Sequence, residues 1–65
     1  MSPYRCYFQD EIGHIMALQT IRCRGDDEAR ATAAELLRRE PHHAVELWAI
    51  GRPLLRLTRA SARAD

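Results

Sequence analysis

The chain has 65 residues, 46% of them hydrophobic and 29% charged, with ten basic side chains against nine acidic ones and a formal net charge of +1. This is the composition of a globular chain, and its length limits it to one domain of modest stability, because folding at this size buries only about 60% of the surface of the unfolded chain. The even charge balance excludes a broad field that draws in nucleic acid or anionic lipid, and no run approaches the ~20 apolar residues that span a bilayer.

Met1-Ser2-Pro3-Tyr4-Arg5 lacks the apolar core of a secretory leader, so the expected compartment is the cytosol. There Cys6 and Cys23 are expected to stay reduced and to pack as small hydrophobes without a disulfide. All ten basic residues are Arg and there is no Lys or Asn, a bias that reads as GC-rich bacterial coding more readily than as selection for phosphate-binding forks.

Tyr4 to Gln9 alternates, with Tyr4, Cys6 and Phe8 on one face and Arg5, Tyr7 and Gln9 on the other, the pattern of a half-buried strand. Asp10-Glu11-Ile12-Gly13 supplies a polar turn with a Gly suited to positive φ, and the run from His14 to Cys23 completes a hairpin. A four-residue loop pairs Phe8 with Ile15, Cys6 with Ala17 and Tyr4 with Gln19, and it puts Ile15, Ala17, Ile21 and Cys23 on the Tyr4 face.

Asp26 then reads as an N-cap, with Asp27 and Glu28 in the first turn and Arg38 and Arg39 in the last, each complementing the helix dipole. Ala29, Ala33, Leu36 and Leu37 form one apolar stripe, while Arg30, Glu35 and Arg38 face water. Pro41 ends the helix by forcing Glu40 out of α geometry.

Val45, Leu47 and Ala49 alternate with Ala44, Glu46 and Trp48, and after Ile50-Gly51-Arg52 the pattern resumes with Leu55 and Leu57 against Leu54, Arg56 and Thr58. A three-residue loop pairs Val45 with Leu57, Leu47 with Leu55, and Glu46 with Arg56. Residues 59–65 carry no periodicity and are expected to fray, leaving residues 1–58 as the domain. The resulting order, ββαββ, predicts an α+β fold: a four-stranded antiparallel sheet with one amphipathic helix packed on one face.

The strand Tyr4-x-Cys6-x-Phe8, the turn Asp10-x-x-Gly13-His14-Ile15, the helix start Asp26-Asp27-Glu28-Ala29 and Val45-Glu46-Leu47-Trp48 together resemble a loose group of small uncharacterised alphaproteobacterial proteins. The likeness runs from about Tyr4 to Leu57, and it implies a fold without implying a substrate, cofactor or catalytic residue. Gly25-Asp26 with Glu28-Ala29 is more weakly similar to HicB-like antitoxins. Those proteins usually insert a further strand with a Pro-Gly-Cys turn before the helix, whereas here Cys23 precedes Gly25-Asp26 without a proline.

His14, His42, His43, Cys6 and Cys23 are the available soft ligands, but no C-x-x-C or H-x-x-x-H spacing organises them for zinc, so neither metal nor cofactor is expected. Both thiols alternate onto the core face, unlike an activated nucleophile, and Glu35 and Glu46 do not form a general acid/base pair. Gly13, Gly25 and Gly51 are isolated turn glycines, not a phosphate-cradling loop. These patterns point away from an enzyme.

The sheet face opposite the helix carries more apolar surface than folding requires. It is expected to gather Tyr7, Met16, Leu18, Trp48 and Leu54 with Arg5 and Arg56, beside Glu46. Aromatics and Met interleaved with Arg are enriched in protein interfaces and also in single-stranded nucleic-acid platforms. The reading that follows is a small cytosolic bacterial interaction module that binds a second copy or another protein, with no small-molecule or membrane partner. The alternative is a nucleic-acid-binding or HicB-like antitoxin-type regulator using Arg5, Arg22, Arg56 and the aromatics.

Overall fold

A computed structural model of the chain describes the backbone of residues 1–62 and the side chains of residues 1–60. Four strands, β1 (Ser2–Gln9), β2 (Ile15–Cys23), β3 (Ala44–Ala49) and β4 (Arg52–Thr58), form one antiparallel sheet in the order β2-β1-β3-β4, with helix α1 (Asp26–Arg39) crossing one face between β2 and β3. The α+β, ββαββ fold predicted from the alternation is the fold observed. No helix among the described residues is long and apolar enough to cross a membrane.

The core is the layer between sheet and helix. Tyr4, Cys6, Phe8, Ile21, Cys23, Val45 and Leu47 meet Ala29, Ala33 and Leu37, all of them buried. Two of the three helix residues in this layer are Ala, which lets the helix backbone come close to the sheet. Leu36 flanks the stripe at partial burial. Both cysteines are buried and unbridged.

The β3–β4 hairpin has the expected pairs Val45–Leu57, Leu47–Leu55 and Glu46–Arg56. A bulge between Leu47 and Trp48 then shifts Trp48 onto Pro53 and Ala49 onto Arg52, so the turn is the two residues Ile50-Gly51, not the expected three. Gly51, at φ 77°, takes the left-handed conformation at the second position of this turn, which Gly adopts without steric cost.

The β1–β2 hairpin departs further from its expected register. Phe8 pairs with Ala17, Cys6 with Gln19 and Tyr4 with Ile21, a displacement of two residues that preserves the face of every residue from Ala17 to Cys23. The cause is a five-residue loop followed by a bulge. Asp10 Oδ1 accepts the N–H groups of Ile12 (3.0 Å) and His14 (2.8 Å), and the Asp10 N–H donates to the His14 carbonyl, so one side chain organises a loop longer than the turn signal suggests. Partial desolvation works against the Asp10 carboxylate, but the donated backbone N–H groups outweigh it and hold its pKa below the ordinary range. Because the bulge pairs Ile15 with Gln9, Ile15 is not the core residue that a four-residue loop implies, and it is 59% exposed.

The helix start is also corrected. Gly25, in extended conformation, is the N-cap, and its carbonyl accepts the first helical bond from Ala29. Asp26 is the first helical residue, and its carboxylate serves a tertiary purpose: it accepts from the Tyr4 hydroxyl at 2.9 Å and from the Arg52 guanidinium at 3.1 Å, tying α1 to β1 and β4. Glu40 leaves the helix extended before Pro41, as the proline requires.

Periodicity stops at Thr58, yet the backbone continues through one helical turn, α2 (Arg59–Ala62). Arg59 is anchored there. Its N–H donates to the His43 carbonyl at 2.7 Å, and its guanidinium donates to the carbonyls of His42 (3.0 Å) and Glu40, satisfying groups where α1 gives way to β3. The rest of the expected frayed tail, residues 63–65, lies outside the described residues.

Candidate functional site

Alternation carries the chemistry of the open face. Because β1 is paired on both sides, its outward residues define rows that cross the sheet: Leu18, Tyr7, Glu46 and Arg56 in one, and Thr20, Arg5, Trp48 and Pro53 in the next. Neighbours in a row stand about 4.5–5.5 Å apart at Cβ, close enough for side chains to interact. Arg5, Tyr7, Leu18, Trp48 and Arg56 thus share one surface, as expected.

Met16, the extra residue of the β2 bulge, is 59% exposed and lines a separate hollow with Gln9, Pro41, His42 and Arg59. Leu54 is a second exception. It is the extra residue of the β4 bulge and is half-buried against the core cluster, so the sheet's own irregularity removes it from the patch. Bulges are not visible in an alternating pattern, which is why parity alone puts Leu54 on the wrong surface.

The two halves of the face differ. On β3 and β4 the polar groups satisfy one another: the Trp48 indole N–H donates to Glu46 Oε1 at 2.8 Å, and Glu46 stands opposite Arg56. Trp48 is half-buried by its neighbours. On β2, Leu18 (54% exposed) projects with no covering element among the described residues. Between the halves lies a shallow groove of about 470 Å³ bounded by Pro3, Arg5, Tyr7, Thr20, Trp48 and Ile50.

Thr20 and Ile50 extend this surface beyond the residues singled out by alternation, and Ile12, Ile15 and Ile50 are among the most exposed apolar side chains of the described residues. Ile12 and Ile50 carry a signal of their own: each is a large β-branched residue inside a turn, where backbone chemistry asks for Gly, Asn or Asp.

The remaining chemical candidates are dispersed. His14 stands 3.5 Å from Asp10 in the first loop, whereas His42 packs its ring on Phe8 at a centroid distance of 5.0 Å near Glu40. Among the described residues no three His, Cys, Asp or Glu side chains converge as a metal site would require. Burial, with a smaller contribution from Cys23, pushes the Cys6 thiol up to about 11, so it remains protonated at neutral pH and is a poor nucleophile. Glu35 is engaged with Arg38 on the solvated side of α1.

The sequence matches no protein-family model, and comparison with curated proteins and with solved structures returns no match. Any functional reading therefore rests on the chain's own residues.

Proposed function

We propose that this protein is a small, non-enzymatic interaction module that self-associates, with the open sheet face as its docking surface and the cytoplasm as its compartment. The observation that carries this reading is Leu18, more than half exposed and paired with Tyr7 in an outward row next to that of Trp48. Large apolar groups gathered on one side of a sheet mark contacts more often than scattered ones do, and Tyr, Trp, Met and Arg are the side chains enriched in such contacts. No cofactor or small molecule enters this reading.

Sedimentation equilibrium tests it. The protein should exceed the monomer mass at high micromolar concentration, and Leu18→Glu should return it toward monomer while keeping the helical signal in circular dichroism. Monomeric wild-type protein throughout that range would sink the proposal.

A second reading is favoured by the groove, where Arg5 stands opposite Trp48 with Tyr7 beside it. A cation between two aromatics suits a base stacked from single-stranded nucleic acid, in line with an antitoxin-type regulator. Titrating Trp48 fluorescence with short DNA and RNA separates the readings: saturable, salt-sensitive quenching supports this one, and an unchanged signal removes it.

A further inference from the structure

We propose that self-association occurs edge to edge, through antiparallel pairing of β2 with β2 of a second copy, giving a continuous eight-stranded sheet. This rests on the self-association reading above but moves the contact from the open face to its β2 margin, where Leu18 meets the second copy at the seam while Tyr7 and Trp48 stay uncovered. The argument begins with the sheet order, in which β2 and β4 are the two edges. Each edge strand presents a row of backbone N–H and C=O groups with no partner in the sheet, and proteins that remain monomeric blunt such rows with proline, charge, short length or a covering element.

The two edges are treated differently. Strand β4 carries Pro53, Arg52 and Arg56, contains a bulge, and runs directly into α2. Strand β2 has nine residues, Ile-Met-Ala-Leu-Gln-Thr-Ile-Arg-Cys, with no proline, no acid, and Arg22 as its one charge, next to the end. Its bulge lies at the Ile15 end, leaving Ala17 to Cys23 in regular register with β1. The exposed Ile15, Met16 and Leu18 also lie on this strand.

A second copy fits this edge better than a foreign strand of marked charge, because β2 has no acid to offer a basic partner and one Arg to offer an acidic one. Pairing centred on Gln19 keeps to the regular stretch of the strand: Gln19 faces its own copy, Leu18 faces Thr20 of the second copy, and Ala17 faces Ile21. The two Arg22 side chains are then six residues apart along the ladder, about 20 Å, so no like charges are opposed. Five paired residues add roughly four to six interchain backbone hydrogen bonds. The two-fold axis is perpendicular to the sheet, which places both helices on one side and merges the two open faces on the other. A contact on one edge belongs to the small class of interfaces, below about 1,200 Å² in total, and forms in a concentration-dependent manner.

Hydrogen exchange read residue by residue across a concentration series tests the geometry. Every second amide between Ala17 and Ile21, the set not bonded to β1, should gain protection as the protein dimerises, and Gln19→Lys should weaken the dimer several-fold without changing the far-UV spectrum. In addition, Gln19→Cys in a Cys6→Ala background, which removes the thiol that stands opposite residue 19 within the same chain, should form an intermolecular disulfide under mild oxidation, since directly opposed residues stand at a spacing a disulfide accepts. A dimer in which the outward β2 amides stay unprotected and the Gln19→Cys variant does not cross-link would overturn edge pairing while leaving self-association intact. A protein that is monomeric at every concentration would overturn both.

Discussion

Phe8 and Leu47 lie on the helix side of the sheet and are almost wholly buried, whereas Leu18, equally apolar, lies on the other side and is more than half exposed. Both sets arise from the same two-residue alternation, so periodicity separates the faces without saying which is covered. Coverage comes from α1, whose Ala29, Ala33 and Leu37 sit on one side alone. The difference teaches that an apolar face is a core only where another element reaches it.

The largest expected effect lies on the covered face. Phe8→Ala removes a fully buried ring and should cost about 3–5 kcal/mol. A 65-residue domain has a total stability of only about 3–10 kcal/mol, so this variant should be partly or wholly unfolded in water. Urea denaturation followed by circular dichroism reads the loss, and a midpoint equal to wild type would place Phe8 outside the core.

The edge of the covered layer should govern pH dependence. Accepting from the Tyr4 hydroxyl, and next from Arg52, holds the Asp26 carboxyl below its ordinary pKa. Its contribution to stability is therefore present above the unfolded value of about 3.9 and is lost as pH falls through the lower native value. The hydrogen bond to Asp26, and then desolvation, raise the Tyr4 pKa, so the Tyr4 contribution is complete below about 10 and is lost as pH rises through the higher native value. Thermal unfolding from pH 2 to 11 should show Tyr4→Phe flattening both limbs relative to wild type. Superimposable curves would mean that the pair has no thermodynamic role.

Thiol chemistry sharpens the same contrast. With the Cys6 pKa near 11 and both thiols buried, a disulfide reagent at pH 8 should find almost no reactive thiol in the native protein and two after denaturation. Fast labelling of native protein would contradict the close packing of α1 on the sheet.

The smallest effect on folding should come from the open face. Leu18→Glu should change monomer stability by no more than about 0.5 kcal/mol while altering association. A loss of several kcal/mol in a dilute, monomeric sample would show that Leu18 supports the fold itself.

Much of the architecture is legible in the strand and helix patterns because Val45, Leu47, Leu55 and Leu57 agree with a single register, and because the helix stripe and Pro41 agree on one segment. The β1–β2 register is less legible. Its loop length depends on Asp10 folding its carboxylate back onto Ile12 and His14, a local geometry that polar composition does not reveal. Parity finds the open face and fails at the two bulges, which expose Ile15 and withdraw Leu54. Asp26 and Arg59 mislead for a common reason: each has an obvious local role, N-cap or tail, and each is used across the fold instead.

The strand order has a consequence in time. Strand β1 leaves the ribosome before the other three yet occupies the middle of the sheet, and its second neighbour, β3, is made only after α1. The hairpin of β1 with β2 can close within about 1–10 µs, whereas the 26 residues from Arg24 to Ala49 take about 1–5 s to synthesise at ~5–20 residues per second. Through that interval the free side of β1 lacks its partner, and Cys6 and Phe8 lack their cover until α1 is made. The nascent chain is therefore most vulnerable to misassembly before β3 is made, and a chaperone or a pause in translation would act on this protein in that interval.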